Sequence, residues 1–375
     1  MSHTIKIRKY HPQDKERVLE IIERVWDKKR RNDHAFLWDW KHALDAGCQN
    51  DSHVAQVIVV DGQVLGYAGA IPAFFKVGAK TVEGGLCMDT FTDPDSRGTG
   101  MQLLKGHLEG ATLLIGAAVP RAKVLWGKLE QRHHGKKDIV SPKQIRKMIR
   151  LVNPTPLLQQ KGIPAPFCYF CRVVWQWYIR MRALLDRVCF NTTRRLEHIE
   201  RFPEVVDRLT AEFSERFSTA IRNHRTLNWR FASCPFPYEK YLLWSADQLV
   251  GYMVYRMAWL NRRKIILLVE MLAVGRQAEN YRAMLAHLQA VALEHQISDI
   301  QTLETGCSVF MKILREQGYW VKKERPWILT HLHRNMESDL SLARDQHWFF
   351  TMGDVDFEFI FYQQGQDSIV NEGGK

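Results

Sequence analysis

The sequence predicts a mixed α/β protein made of two tandem domains with one plan. Two observations carry this. Helix-period and strand-period stretches alternate along the first third of the chain, and a run from that region returns later with its neighbours in the same order. The run Asp61-Gly62-Gln63-Val64-Leu65-Gly66-Tyr67 is echoed by Ala246-Asp247-Gln248-Leu249-Val250-Gly251-Tyr252, at an offset of 185 residues. One short echo could arise by chance. An echo embedded in the same succession of elements points to duplication.

The first half reads as follows. Residues 12–26 carry Val18, Ile21, Ile22 and Val25 at helical spacing behind Pro12, which predicts an amphipathic helix. Val54–Val60 is β-branched and predicts a strand. Asp61-Gly62 is a hairpin turn, and Val64–Ile71 returns as the next strand. Shorter strands follow at Phe74–Val77 and Gly85–Phe91. A Pro/Asp/Gly loop then leads to a helix from Gly100 to Glu109 and an apolar strand at Thr112–Ala117. The second half offers a helix at Glu204–Phe217, strands at Leu249–Met257 and Ile265–Val274, and a helix at Tyr281–His295. Trp38-x-Trp40 precedes the first hairpin and Asn228-Trp229-Arg230-Phe231 the second.

Between the halves, Asn153-Pro154-Thr155-Pro156 and Ile163-Pro164-Ala165-Pro166 predict a stiff extended linker. Cys171–Asp186 is a helix rich in Trp, Tyr and Arg, of a kind that packs between domains or lies on an anionic membrane surface. The expected division is residues 1–150, a linker and basic aromatic helix at 151–195, a second domain at 196–363 and a polar tail at 364–375. Within the second domain, Trp348–Phe361 reads as a last strand.

The chain of 375 residues is long enough for two cores, and 46% hydrophobic against 25% charged residues excludes wholesale disorder. A net charge of +12 favours anionic partners, whether a phosphate-bearing cofactor, nucleic acid or an acidic membrane. The seven cysteines include one pair, Cys168 and Cys171, at C-x-x-C spacing, with no second pair to complete a zinc site. They read as free thiols in a reducing cytoplasm. The first residues lack an apolar leader, and no run is long and apolar enough to span a membrane. His133-His134 read as the basic end of a helix rather than a metal site.

The chemistry is concentrated at the end of the Gly85–Phe91 strand. The chain turns at Pro94-Asp95, and Arg97-Gly98-Thr99-Gly100 opens a helix with Leu103, Leu104 and Leu108 on one face. Glycines before a helix let backbone N–H groups converge, and the helix end adds partial positive charge. The loop suits a pyrophosphate. It is neither a Walker loop nor a complete dinucleotide fingerprint.

This strand, loop and helix resemble the acetyl-CoA motif of the GNAT acyltransferase superfamily, Arg/Gln-x-x-Gly-x-Gly/Ala, with Gln102 where the family has Gly or Ala. Leu249–Met257, Ile265–Val274 and Phe310-x-x-x-Leu314 through Gly318-Tyr319 resemble a second, degenerate copy. Its loop is Gly275-Arg276-Gln277-Ala278-Glu279-Asn280, without the glycine pattern. The arrangement is similar to tandem-GNAT proteins, some linked to polysaccharide or cell-envelope biosynthesis. The resemblance implies one site for acetyl-CoA or another acyl-CoA, held by Thr90, Phe91, Thr92, Arg97, Gly98, Thr99, Gly100, Met101 and Gln102. It implies acyl transfer to an amine of a small molecule or amino sugar, with a carboxylate as base. Asp89, Glu83 and Glu270 are the candidates. Two other readings stand beside it: a peptidoglycan-bridge-type aminoacyltransferase using aminoacyl-tRNA, and a non-catalytic CoA-binding module. The nearly intact loop weighs against a nucleic-acid partner. Peripheral membrane contact through the aromatic helix stays open.

Overall fold

The computed structural model describes residues 4–42, 55–96, 98–109, 113–118, 139–144, 146–189, 194–303, 307–322, 327–332 and 348–354. In the first half, strand β1 (Ile5–Lys9) leads through a 3-10 turn at Pro12–Asp14 into helices α1 (Lys15–Val25) and α2 (Lys28–Lys41). Strands β2 (Gln56–Val60), β3 (Gln63–Val77) and β4 (Lys80–Thr92) follow. After these come α3 (Thr99–Glu109), β5 (Leu113–Ala118), β6 (Ile139–Gln144) and β7 (Lys147–Leu151). The β2–β3 turn has Asp61 at φ 48° and Gly62 at φ 84°, the left-handed pair that a two-residue hairpin requires.

The two strands expected at 64–71 and 74–77 are one. Pro72 does not break β3, because β2 ends opposite Ala68 and leaves that edge of β3 unpaired at Pro72, where no N–H is needed. Helix α2 has no counterpart in the sequence reading. Its Lys-Lys-Arg-Arg-Asn-Asp start hides the apolar face formed by Leu37, Trp38 and Trp40.

The expected stiff linker is helical instead. Pro154 and Pro156 stand at the start of α4 (Thr155–Gln160), where proline loses no helical hydrogen bond. The aromatic helix α5 runs from Ala165 to Cys189. The second half comprises β8 (Arg194–His198), α6 (Val206–Ser214), β9 (Thr219–Ala220), α7 (His224–Phe231), β10 (Glu239–Ser245) and β11 (Gln248–Leu260). It continues with β12 (Arg263–Ala273), α8 (Gln277–Glu294), β13 (Asp299–Leu303), α9 (Ser308–Glu316), β14 (Trp320–Val321) and β15 (Trp327–Leu332). Residues 348–354 form a bridge from Trp348 to Ser218 and a 3-10 turn, where a strand was expected; residues 355–361 lie outside the described residues.

Two mixed sheets result. The first runs β1-β2-β3-β4-β5-β15-β6, with β9 also on β3; the second runs β14-β7-β13-β12-β11-β10-β8. Each has a long antiparallel hairpin, β3–β4 or β11–β12, and one parallel junction, β4 with β5 or β12 with β13. The halves exchange a strand. β7, at the expected boundary near 150, inserts between β13 and β14, and β15 inserts between β5 and β6. Both sheets therefore need both halves of the chain.

One continuous core joins Leu37, Trp40, Phe75 and Leu113 to Trp229, Tyr252, Leu267 and Tyr281. At its centre the Trp40 and Trp229 rings stack 4.8 Å apart at 12°, and the Trp40 indole donates to the Trp229 carbonyl at 2.9 Å. Helix α5 is tied down by the Trp175 indole on the Leu151 carbonyl and by Gln289 on the Ile179 carbonyl. Among the described residues, no helix is long and apolar enough to cross a membrane.

Candidate functional site

Strand β4 pairs with β5 only from Gly85 to Cys87, opposite Leu114 to Gly116. Gly84 permits this junction to start: a Cβ there would lie 2.1 Å from the Leu113 carbonyl oxygen. Beyond Cys87 the two strands part, although β4 continues to Thr92 and β5 to Ala118. On its other side, β4 is bulged. Thr90 faces Ala68 and Cys87 faces Ala70, so Met88 and Asp89 together oppose Gly69. A bulge leaves backbone groups outside the ladder and re-aims the strand. The edge of Met88–Thr92 that turns away from β3 thus has no described strand opposite it.

The chain leaves this edge through a braced turn. Asp93 is buried and accepts from Arg17 and Arg24 of α1, and from the backbone N–H of Asp95. The Ser96 hydroxyl donates to the Asp93 carbonyl, and the Thr99 hydroxyl to the Ser96 carbonyl, both at 2.7 Å. Between these anchors Gly98 takes φ 91° with no heavy atom of the described residues near the position of a Cβ, and Gly100 has among them only the Thr92 side chain near its own. The first helical turn therefore opens on free space beside the unpaired edge. Gln102, the departure from the glycine pattern, directs its side chain to solvent. Thr90 is exposed and Thr92 half-buried, whereas the Phe91 ring packs on Trp26 and Tyr67, leaving only its backbone to the edge. Arg97 lies outside the described residues.

Asp89 is met by α2. Its carboxylate accepts from Lys41 Nζ at 2.7 Å and stands 3.4 Å from His34 Nδ1. Burial alone would raise its pKa. The charges of His34 and Lys41 more than reverse that and hold the carboxyl well below the usual carboxylate range. Trp26, an exposed ring, stacks over His34 at 6.0 Å. Next to His34 on α2, Asp33 is also buried, on the helix face that carries Leu37 and Trp40, and burial raises its pKa. One Asp33 carboxyl oxygen has no hydrogen-bond partner among the described residues. The sequence reading found neither α2 nor these groups. The two are linked because Lys41 and Asp89 lie 48 residues apart and meet only through tertiary packing.

Glu83 lies at the other end of β4, opposite Phe74, and is half-buried. The strand keeps it apart from Asp89 by about 20 Å at its usual rise per residue. Glu270 lies in the other sheet. It is buried beneath Arg222, whose Nε donates to it at 2.9 Å, and it also accepts from the Tyr252 and Thr351 hydroxyls. Burial raises the Glu270 pKa. Arg222 also pairs with Asp354, and Gly353 is packed so closely that a Cβ would lie 2.9 Å from a Glu270 carboxylate oxygen. Glu270, one of the three candidate bases, lines a cavity of about 50 Å³ together with Pro72, Phe74, Arg222, Trp229 and Asp354. A second cavity of about 380 Å³, lined by Lys76, Thr81, Asp207, Thr219 and Asn223, lies by the beginning of β4 and does not reach the bulge.

The second copy of the loop leaves the Cβ position of Gly275 as open as that of Gly98, but it holds a carboxylate in its first helical turn. Gly275 keeps a left-handed φ of 62°, but Asn280 donates to the Val274 carbonyl and Glu279 stands in the first turn of α8. Arg194 pairs with Glu279 at 2.6 Å and with Asn280 at 2.7 Å. A carboxylate at a helix start takes the place an anion would need. Elsewhere, the Cys87 thiol lies 3.8 Å from His107 of α3. No group of metal-ligating residues is present among the described residues. Pro120-Arg121 and His133-His134 lie outside them.

No family model matches the chain, and no curated protein matches it in sequence. Solved structures do match in shape. A GCN5-related N-acetyltransferase from Anabaena variabilis superposes with a TM-score of 0.57 at 11% identity, over 88% of this chain and 73% of that one. A probable N-acyltransferase from Enterococcus faecalis gives 0.52 at 12%, over 88% and 73%. Saccharomyces cerevisiae N-myristoyltransferase with bound myristoyl-CoA gives 0.52 at 11%, over 87% and 82%. The chain thus has the GNAT fold in tandem.

Proposed function

We propose that this chain is an acyl-CoA-dependent N-acyltransferase with one acyl-CoA site, in its first half. The observation that carries the reading is the junction at the end of β4, where an unpaired, bulged strand edge runs through a left-handed Gly98 into the open first turn of α3. That the solved structures sharing its shape are N-acyltransferases, one with myristoyl-CoA bound, supports it.

The residues present fit the cofactor. The free space over Gly98 and Gly100 would receive the pyrophosphate, with the first-turn N–H groups of α3 donating to it. Arg97 supplies a cation beside them in sequence. The edge of Thr90, Phe91 and Thr92 would hold the pantetheine amides as an added strand would. Acyl-CoA supplies the thioester, an activated acyl group. The bulge at Met88 and Asp89 would offer backbone N–H groups to a developing oxyanion.

The proton of the acceptor amine needs a base. Asp89 is a poor one, because its pairing with Lys41 and His34 holds it ionised. In this reading Asp89 positions Lys41 and His34, and Asp33, one residue from His34 on the adjoining helix face and with a buried carboxyl oxygen that has no hydrogen-bond partner among the described residues, is the proposed base. Glu83 and Glu270 stand apart from the bulge and have no part in the reaction. The acceptor is an amine of a small molecule or an amino sugar, and acetyl-CoA is the first donor to test beside longer acyl-CoAs. The cytoplasm, with its reduced thiols, is the setting this reading requires.

Release of free CoA from acetyl-, octanoyl- and myristoyl-CoA, measured against a panel of amines and amino sugars, tests the proposal. Amine-dependent release that is lost in Asp33→Asn supports it. CoA binding without release on any amine leaves a binding module. Salt-sensitive binding of tRNA in place of CoA leaves the aminoacyl-tRNA reading.

A further inference from the structure

Helix α5 is apolar on two faces, and among the described residues only one is covered. Trp175 and Ile179 are anchored to Leu151 of the second sheet and to Gln289 of α8, and Cys168 on the same side is buried. The opposite side carries Phe167, Phe170, Val174, Trp177, Tyr178 and Met181, all exposed, with Phe167 at 68% and Trp177 at 65%. Their spacing repeats at three and four residues, so they form one stripe along the helix. Burying such a stripe is favourable by roughly 25 cal/mol per Å², and scattered single exposures do not explain a continuous row.

The charge around the stripe is of one sign. From Ile163 to Leu185 the sequence holds no Asp or Glu, while Arg172, Arg180 and Arg182 interrupt the apolar residues. Arg180 is exposed beside the stripe. A protein partner or a second copy of the chain would be expected to meet complementary acids at the rim. Along the stripe this helix offers none; its one acid, Asp186, lies beyond Met181 towards the C-terminal end. Aromatic rings with cationic neighbours and no anions match the interface of an anionic bilayer, where Trp and Tyr sit at headgroup depth and Arg meets lipid phosphate. The helix is also held on its inner face, so the outer face is presented without unfolding.

We propose that α5 docks the protein on the surface of an anionic phospholipid membrane, lying in its plane. This does not depend on the catalytic reading. The test is co-sedimentation of the full chain with vesicles of phosphatidylcholine, with and without phosphatidylglycerol. The wild type is expected to bind the mixed vesicles and to bind pure phosphatidylcholine at least roughly tenfold more weakly. Phe170→Ser with Trp177→Ser is expected to lower binding to the mixed vesicles by about tenfold or more at an unchanged melting temperature. Arg180→Glu is expected to weaken the preference for the anionic lipid. Equal recovery of the wild type in the supernatant with both vesicles overturns the proposal, as does binding that the double variant leaves intact. A dimer in gel filtration that the same double substitution abolishes, without vesicle binding, shows instead that a second copy covers the face.

Discussion

Asp89 and Glu270 occupy the same position in the two halves. Thr92, paired with Gly66, ends one central strand, and Ala273, paired with Gly251, ends the other; counting back equally from each reaches these two acids. Both stand at the bulge of their strand, and each meets a cation, Lys41 or Arg222. Their surroundings differ. The Asp89 side chain keeps 15% exposure beneath α2, whereas Glu270 keeps 3% and is sealed by Thr351 and Gly353. One bulge has stayed beside an open loop, and the other has become part of the core.

Breaking the first of these pairs should be costly. Lys41→Met takes one of two cations from a mostly buried carboxylate and Asp89→Asn takes the carboxylate from a buried ammonium, and each is expected to destabilise by about 1.5–3 kcal/mol in chemical denaturation. The folded pKa of Asp89 is depressed. Its stabilising contribution is therefore present above its unfolded pKa of about 3.9 and is lost as pH falls below that value. Asp89→Asn should flatten the acid limb of the stability profile. An unchanged limb would show that the pair does not couple to folding.

Arg222 serves two acids at once, Glu270 and Asp354. Arg222→Met removes the cation beside Glu270 in a buried site, so the Glu270 pKa, already raised by burial, should rise further. The Glu270 contribution should then be fully present below its unfolded pKa of about 4.3 and be lost as pH rises, so the variant should lose stability relative to the wild type as pH rises above that value. A stability difference from the wild type that does not grow as pH rises would contradict this placement. Glu270→Gln, which keeps the acceptor oxygen, should cost less than Glu270→Ala.

The strand exchange makes the halves interdependent. Thermal unfolding followed by far-ultraviolet circular dichroism and by tryptophan fluorescence should give one coincident transition. Trp40→Ala removes the stack on Trp229 and a buried hydrogen bond, and should cost about 3–5 kcal/mol without separating the two probes. Two transitions in the wild type would mean that β7 and β15 do not hold the sheets together.

Asp33→Asn should lower kcat by about 10² to 10⁴ while leaving CoA affinity unchanged, since proton acceptance and cofactor binding rest on different residues. A loss confined to KM would remove Asp33 from the proposed role.

Much of this was legible in the residues. Asp61-Gly62 and its echo marked the β2–β3 and β10–β11 turns, and Gly98 before Leu103 and Leu104 marked the loop and its helix. What stayed hidden has a common cause. The cations at Asp89 and Glu270 come from α2 and from Arg222, distant in sequence and brought in by packing. α2 itself was masked by its charged first turns, and Pro72 suggested a break that an unpaired strand edge does not require. Strand exchange was equally out of reach, because β7 and β15 carry the same period whichever sheet they join. Glu270 was named from its place in the strand. Only its covering by Thr351 and Gly353 showed it to be closed.

The central claim is that acyl-CoA binds at Gly98 and not at the matching Gly275. Thermal shift with and without CoA on the wild type, Gly98→Ala and Gly275→Ala tests it most directly. Both glycines have left-handed φ, 91° and 62°, so both substitutions should lower the unliganded melting temperature, at a cost of about 1–2 kcal/mol each. CoA at about 100 times its dissociation constant should add about 2.7 kcal/mol to the wild type and to Gly275→Ala, and clearly less to Gly98→Ala. No shift in the wild type, or a shift that survives in Gly98→Ala and disappears in Gly275→Ala, would contradict it.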